Sequence, residues 1–245
     1  MGFEDLSEIE ILQGSFSLIY VLITLSIGII IISKYRNVKH IETITVGLSL
    51  IFIASPWWGS SLSFIAYGFF NIEISDTLYL TLGCVFNPVA LFFWLYSFFK
   101  FIYPNSIKKM VIIYLVINIP YEIGLIYFIA TNISIIGRMD SIFNSVFNLY
   151  PTLFSIGSLT VLVITGLIFG KKSIKSNNQN VQWKGRFILI AFGTFIFGAL
   201  ADTIIGENSM LLIIIRVVLV FSAIMFYFGF FLPDRIANLL IKEKK

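Results

Sequence analysis

The chain has almost none of the side chains that build metal and redox sites. Its 245 residues contain one cysteine, Cys84, and one histidine, His40. A single cysteine excludes an intramolecular disulfide. The two residues together are too few for a zinc site, which needs three or four ligands. We therefore expect neither a metal nor a cofactor.

Charged residues are also scarce. They make up 12% of the chain, against about 25% in soluble domains, while 58% of the residues are hydrophobic. A soluble domain of this length could not bury so much apolar surface, whereas a helix bundle exposes it to lipid. The acidic start, MGFEDLSEIEIL, lacks the basic region of a signal peptide, so the first span is expected to remain. The composition predicts an all-α, multi-pass protein of the cell membrane, with the lipid bilayer as partner and no nucleic acid.

Seven stretches are apolar over about the 20 residues that a helix needs to cross a bilayer. The predicted helices of this seven-helix bundle are residues 11–32, 41–67, 77–99, 110–130, 142–169, 186–205 and 210–232. Residues 233–245 are predicted to form a short basic tail, and no segment is left for a soluble domain. None of the spans contains a lysine, so a retinal Schiff base has no attachment point.

The basic residues predict the orientation of the bundle. Cytoplasmic loops of membrane proteins carry an excess of Lys and Arg. Fifteen of the 17 basic residues fall on one side: Lys34, Arg36, Lys39, Lys100, Lys108, Lys109, Lys171, Lys172, Lys175, Lys184, Arg186, Arg235, Lys242, Lys244 and Lys245. The acidic N-terminus lies on the other side. We expect the N-terminus outside and the C-terminus in the cytoplasm.

Polar residues within the spans indicate where a ligand could bind. A polar face in lipid must turn inward. The candidates for a ligand site or a buried polar network lie mostly in the outer half of the bundle: Asn87, Asn118, Glu122, Asn144, Asn148, Asp202 and Arg216. Asn144 and Asn148 are placed on the fifth helix by this reading. Together these residues suggest an outward-facing polar pocket that is closed on the cytoplasmic side.

Arg216 interrupts the last span, and its guanidinium cannot lose its proton, so it needs a partner. Asp202 is the first candidate. It precedes the turn between the sixth and seventh helices, and the two side chains lean toward each other. Glu122 is the rival, because it lies at a similar depth. The pair can be structural or part of a ligand site, and both readings stay open.

Catalysis is not favoured by these residues. Glu122 and Asp202 are carboxylates within spans, but no recognisable catalytic motif surrounds either, and no serine–histidine pairing exists inside the membrane. We therefore expect no enzyme activity and no catalytic residues.

Two stretches carry a resemblance to a known family. They are NPVALFFWLYSFFK, from Asn87 to Lys100, and YFGFFLPDR, from Tyr227 to Arg235. Both resemble the seven-helix sensory region that precedes many prokaryotic histidine kinases. The sequence ends at Lys245 without room for a phosphoacceptor helix or an ATP domain. The resemblance therefore implies a separate membrane module, similar to the sensory half, that signals through another protein.

Two classes of function remain open. The first is a membrane sensor or receptor-like module, in which the outer pocket binds a small molecule or lipid and a cytoplasmic signalling protein reads the helix movement. The second is a transporter of a small solute or lipid, which often has broken helices at matching positions of internal repeats. Pro56 in the second helix has no counterpart in the sixth, so transport is the second choice.

The predicted orientation can be measured by cysteine labelling. In a Cys84→Ala background, Ser7→Cys and Asp76→Cys are expected to react with a membrane-impermeant thiol reagent in intact cells, because both lie in predicted outer segments. Ser176→Cys is expected to react only after the cells are permeabilised. Labelling of Ser176→Cys from outside would contradict the orientation.

Overall fold

The computed structural model of the chain describes residues 2–204 and 210–241, without the side chains of residues 203, 204 and 210. Seven of the helices in this part are long and apolar enough to cross a membrane. In chain order they are α1 (Glu8–Ser33), α2 (Ile41–Ile53 and Trp58–Phe70), α3 (Asp76–Cys84 and Phe86–Ile102), α4 (Ile107–Thr131), α5 (Leu149–Ile174), α6 (Gln179–Ile204) and α7 (Met210–Phe230); a short helix, α8 (Asp234–Leu240), follows. The predicted turn at residues 206–209 and the last four residues of the predicted tail lie outside the described residues.

Local capping decides where α1 and α3 begin. The Ser7 side chain accepts a hydrogen bond from the Glu10 backbone N–H, and the Glu10 carboxylate accepts one from the Ser7 N–H at 2.9 Å. This capping box satisfies two backbone donors that a helix start otherwise leaves free. Ser75 caps α3 by accepting from the Leu78 N–H. Both helices therefore begin a little earlier than their apolar stretches do.

Prolines interrupt two of the spans. In α2 the helix gives way to a 3₁₀ turn, Ser55–Trp57, which contains Pro56. In α3 it breaks at Val85, because Pro88 offers no N–H to the carbonyl of Cys84, four residues earlier, and its ring crowds that carbonyl. Pro120 also lies within α4, which continues past it without a break.

The predicted fifth helix over 142–169 is wrong at its start. Residues before α5 form an antiparallel hairpin of β1 (Gly137–Ser141) and β2 (Asn144–Phe147). The hairpin buries Phe143 at its turn and pairs the backbone groups of both strands. The helix begins only at Leu149, and Pro151 occupies its first turn, where its missing N–H costs nothing.

Residues 170–185 lie between the predicted fifth and sixth helices and were expected to form a loop, but most of them are helical. α5 continues to Ile174 and α6 begins at Gln179, so the connection is residues 175–178. The lysines and glutamines of this segment are good helix formers. Polarity therefore marks the point where the helices leave the apolar region, and does not mark where they end.

Six of the seven helices pack in a ring. α1 contacts α2 and α7, α2 contacts α3, α3 contacts α5, and α6 lies between α5 and α7. α4 packs on the outside of this ring, against α3, and its Tyr121 stacks on Phe154 of α5. The large apolar side chains on its other face, such as Val116 and Ile123, are more than 60% exposed. Together with the seven apolar helices, this exposed surface is that of a mainly helical membrane protein.

The two ends of the bundle differ. At one end, which we name the hairpin end, Phe143 of the hairpin packs with Leu6 and Phe64. At the other, which we name the basic end, Lys34 lies 4.2 Å from the ring centroid of Phe231, and Lys172 lies 4.3 Å from that of Tyr103. The basic residues at the ends of α1 and α5 therefore rest on aromatic rings.

Paired glycines bring neighbouring helices close together. A Cβ atom on Gly47 of α2 would lie 2.7 Å from the carbonyl oxygen of Gly28 in α1. A Cβ on Gly185 of α6 would lie 2.9 Å from the carbonyl oxygen of Gly170 in α5. Small residues at such crossings allow the backbones to approach, and packing is a main source of helix association in lipid.

Alanine at Gly47 is expected to destabilise the protein by about 1–3 kcal/mol, because the added carbon overpacks the α1–α2 crossing. The matched control is Gly193→Ala in α6, where a Cβ would meet no atom within 4 Å. Thermal unfolding in detergent checks both variants. Equal melting temperatures for the two would contradict the close packing at Gly47.

Candidate functional site

The charged residues of α6 and α7 form the ion pair expected from the sequence. The Arg216 Nε donates to Asp202 Oδ1 at 2.7 Å, and only 4% and 15% of the two side chains are exposed. Trp57 Nε1 donates to the second carboxylate oxygen at 2.9 Å. Both oxygens of Asp202 are therefore bonded, which is the condition under which a buried carboxylate is tolerated.

The same guanidinium reaches α1. Its Nη1 donates to Ser17 Oγ, which also accepts from Ser60 Oγ of α2 at 2.9 Å and donates to the Gln13 carbonyl at 2.8 Å. We name Ser17, Trp57, Ser60, Asp202 and Arg216 the ion-pair cluster. It joins α1, α2, α6 and α7 through side chains.

The fold explains why these residues meet. The 3₁₀ turn in α2 holds Trp57 buried, edge-on to Tyr20 of α1, with ring centroids 4.9 Å apart. Ser17 lies one turn before Tyr20 on the same side of α1. The interruption of α2 thus brings the indole N–H of Trp57 to the carboxylate of Asp202.

Glu122 is not the partner of Arg216. It is half-buried on α4, outside the ring, and forms no ion pair or hydrogen bond with the described part of the chain. Next to it, Asn118 is 5% exposed, and its Nδ2 donates to the Tyr114 carbonyl at 2.7 Å. Its Oδ1 and the hydroxyl of Tyr121 are buried and have no hydrogen-bond partner among the residues that the structure describes. We name Asn118, Tyr121 and Glu122 the α4 cluster.

The remaining predicted site residues lie elsewhere. Asn87 donates to Ser155 Oγ of α5 at 3.3 Å and accepts from Ser55 Oγ of α2 at 3.5 Å, so it links three helices. Asn144 lies in β2, opposite Ser141, and Asn148 donates to the Ser134 carbonyl at 2.6 Å. The expected placement of both residues on the fifth helix is wrong, because Asn144 belongs to the hairpin and Asn148 is the N-cap residue that precedes α5.

A shallow groove of about 180 Å³ opens at the hairpin end. Its lining includes Tyr67, Glu73 and Asp76 beside Met139 and Ser141 of β1, and none of the seven predicted site residues. The predicted residues therefore do not line one common pocket. They divide into the ion-pair cluster, the α4 cluster, the Asn87 contacts and the hairpin.

Ser17, Trp57 and Ser60 are not among the predicted site residues. Ser17 and Ser60 each have other serines close by in the sequence, and most serines of apolar helices bond only to their own backbone, so nothing singles these two out. Trp57 had a usable signal, since it directly follows Pro56, whose interruption of the helix aims the next side chain differently. No group of His, Cys, Asp and Glu within residues 2–204 and 210–241 could hold a metal ion.

The chain matches no protein-family model and no curated protein. The fold and the clusters define it as a helical membrane protein with a buried charge pair.

Single leucine substitutions of Arg216 or Asp202 are expected to destabilise the protein in detergent by about 3–5 kcal/mol, because each leaves an unpaired buried charge. The double variant should recover much of the loss. The readout is the thermal unfolding of the four proteins that make up the double-mutant cycle.

Glu122→Leu is the control for this cycle, because it removes a carboxylate that does not contact Arg216. It should not restore the stability of Arg216→Leu. Rescue by Glu122→Leu in place of Asp202→Leu would show that the pair has been assigned to the wrong carboxylate.

Proposed function

We propose that the protein is a membrane sensor or receptor-like module that signals through a separate cytoplasmic protein. The observation that carries this proposal is the ion-pair cluster, which ties α1, α2, α6 and α7 together through one guanidinium. A buried charge pair costs much to break from one side. Four helices held in this way move together, and a ligand that favours a second arrangement shifts the whole set.

The packing beyond the cluster supports a sensor over a transporter. Toward the basic end, the bundle is filled by large aromatic side chains. Trp94 of α3 and Phe226 of α7 both meet Phe192 of α6, with ring centroids 4.9 Å apart in each pair. Such packing passes a change of helix position along the bundle, because interiors are close-packed and resist compression. It does not favour passage of a polar solute.

The proposed orientation places the hairpin end outside and the basic end in the cytoplasm. In this orientation, a signalling partner meets Lys34, Lys172 and Arg186, whose cationic groups lie over aromatic rings. An acidic surface on the partner would complement them. The resemblance to sensory regions of histidine kinases suggests the same arrangement, with the output carried by another chain.

The breaks in α2 and α3 favour transport as the second candidate, because transporter sites are often built at interrupted helices. Inverted repeats of three helices around a central one would pair α2 with α6. α6 runs from Gln179 to Ile204 without a break. The interruptions therefore do not follow the repeat that such a transporter needs.

A ligand screen with two readouts separates the candidates. Purified protein in nanodiscs is screened by thermal shift against small solutes and lipids, and each stabilising compound is then tested for uptake into proteoliposomes. We expect stabilisation without uptake above protein-free vesicles. Uptake of a stabilising compound would support the transporter.

The sensor is also expected to couple binding to the basic end. Ser173, half-buried near the end of α5, provides a reporter as Ser173→Cys in a Cys84→Ala background. A stabilising compound should change the thiol labelling rate by about fivefold or more, as coupling energies of allosteric proteins imply. In the double variant Asp202→Leu/Arg216→Leu, binding should persist and this change should disappear. An equal change in both proteins would contradict the role of the cluster.

A further inference from the structure

The groove at the hairpin end contains a buried hydroxyl that the described part of the chain does not satisfy. Ser63 lines the groove and is only 2% exposed. Its hydroxyl forms no hydrogen bond with the residues that the structure describes, and its oxygen is not enclosed by protein as Asn118 Oδ1 is. Buried polar groups normally have a partner, so this hydroxyl indicates that a molecule binds in the groove.

Three segments of the chain build the groove. Ser63 and Tyr67 lie four residues apart in the second half of α2 and so share one face of it. Glu73 belongs to the connection that follows, and Asp76 is the first residue of α3. Strand β1 supplies Met139 on the remaining side. Because Glu73 and Asp76 are exposed and Ser63 is buried, the carboxylates form the rim of the groove and the hydroxyl lies at its floor.

The rim of the groove is acidic. Glu73 and Asp76 form no ion pair with the described part of the chain, and none of the described residues that line the groove is a Lys, Arg or His. Arg138 precedes Met139 in β1, but successive side chains of a strand point to opposite faces, so Arg138 lies on the other face of the hairpin. Two carboxylates at a groove without a positive charge attract a cation.

The size and the walls of the groove limit the ligand further. A cavity of about 150 Å³ holds benzene, so a groove of about 180 Å³ takes roughly six to eight non-hydrogen atoms. Ile72, Ile74 and Ile142 give it apolar walls between rim and floor. A charge buried at the floor would be costly, so the end of the ligand that reaches Ser63 must be polar and neutral.

We propose that this groove binds a short amino alcohol, with its ammonium group at Glu73 and Asp76, its hydrocarbon chain against the isoleucines and its hydroxyl at Ser63. An ammonium group has three donors and can serve both carboxylates. A hydroxyl reproduces the hydrogen bond of any water that it displaces from Ser63. The inference deepens the proposed function, because it names a ligand class and its site, and it rests on the sensor only for the consequence of binding.

The floor of the groove lies next to the ion-pair cluster. Ser60 is one helical turn before Ser63 in α2, and its hydroxyl donates to Ser17, which also accepts from Arg216. This half of α2 begins directly after the 3₁₀ turn Ser55–Trp57. A ligand that shifts Ser63 therefore shifts the helical segment that carries Ser60, and this segment bonds to the cluster.

Binding is measured with the full chain in phosphatidylcholine nanodiscs, and protein-free nanodiscs provide the background. The probes are the amino alcohols from ethanolamine to aminohexanol, with the two groups at opposite ends of the chain. Each is compared with the alkyl amine of the same length, which lacks the hydroxyl, and with the hydroxy acid, which carries a carboxylate in place of the ammonium group.

One chain length should bind best, with a dissociation constant of about 1 mM or lower. It should bind about fivefold more tightly than its alkyl amine, the preference that one neutral hydrogen bond supplies. The hydroxy acid should not bind. The proposal is overturned if no amino alcohol binds at about 10 mM, or if the alkyl amine of every length binds as tightly.

Two serine variants test the floor of the groove. Ser63→Ala should weaken the best amino alcohol about fivefold and leave its alkyl amine unchanged, because only the amino alcohol has a hydroxyl to lose a partner. Ser61→Ala is the matched control, because Ser61 lies outside the lining and donates to the Trp57 carbonyl of its own chain segment. An equal effect of Ser63→Ala on both ligands would show a structural role and contradict the site.

Three acid variants test the rim. Glu73→Gln and Asp76→Asn should each weaken the amino alcohol and the alkyl amine about threefold, as expected for an exposed ion pair. Asp140→Asn removes a carboxylate of β1 that does not line the groove and should change neither. Equal weakening by all three variants would mean that the ligand responds to the general charge of this end, and would contradict the site.

The remaining outcomes separate the ligand class and the sensor. If Ca²⁺ displaces the amino alcohol where Na⁺ at equal ionic strength does not, the carboxylates bind a metal ion and the ligand class is wrong. Binding of the amino alcohol without any change in the reactivity of Ser173→Cys would keep the site but contradict the sensor. Another compound that changes this reactivity while no amino alcohol binds would do the reverse.

Discussion

The structure depends on one guanidinium in a place where water cannot solvate it. Arg216 is 3% exposed in a helix that is otherwise apolar, and it cannot become neutral. Its charge is tolerated only because Asp202 pairs with it, Trp57 holds the other carboxylate oxygen, and Ser17 accepts a second N–H. The positions of four helices follow from this requirement. The hydrogen bond from Arg216 to Ser17 lies at the contact between α7 and α1, which closes the ring.

The two polar clusters of the bundle differ in how well they are satisfied. In the ion-pair cluster, every named group has a partner from a neighbouring helix. In the α4 cluster, an amide oxygen and a hydroxyl remain without one in the described part of the chain. A fully satisfied network specifies one arrangement of the helices, whereas a buried polar group without a partner is costly. We therefore assign the ion-pair cluster a role in holding and coupling the helices.

The sequence predicted the helices and the charge pair well, for a physical reason. A bilayer demands a long apolar run for each span and a partner for each charge, and both demands can be read without a structure. The pairing of Asp202 with Arg216 follows from the antiparallel turn and from the direction in which the two side chains lean. The hairpin was missed because Ile142 and Phe143 extend the apolar run of the fifth span, although Asn148 and Pro151 mark the true helix start. The place of α4 outside the ring could not be read from hydropathy, since lipid and a protein core both select apolar side chains.

The position of α4 also bears on how the protein assembles during synthesis. The chain leaves the ring at the end of α3, makes α4 and the hairpin, and only then supplies α5, which is the next member of the ring. α4 is therefore made before α5, although α3 and α5 are the neighbours that meet in the ring. α7 completes the ring, because its Arg216 donates a hydrogen bond to Ser17 of α1. The ring can thus close only after α7 has been made, because this contact joins the first and the last of its six members.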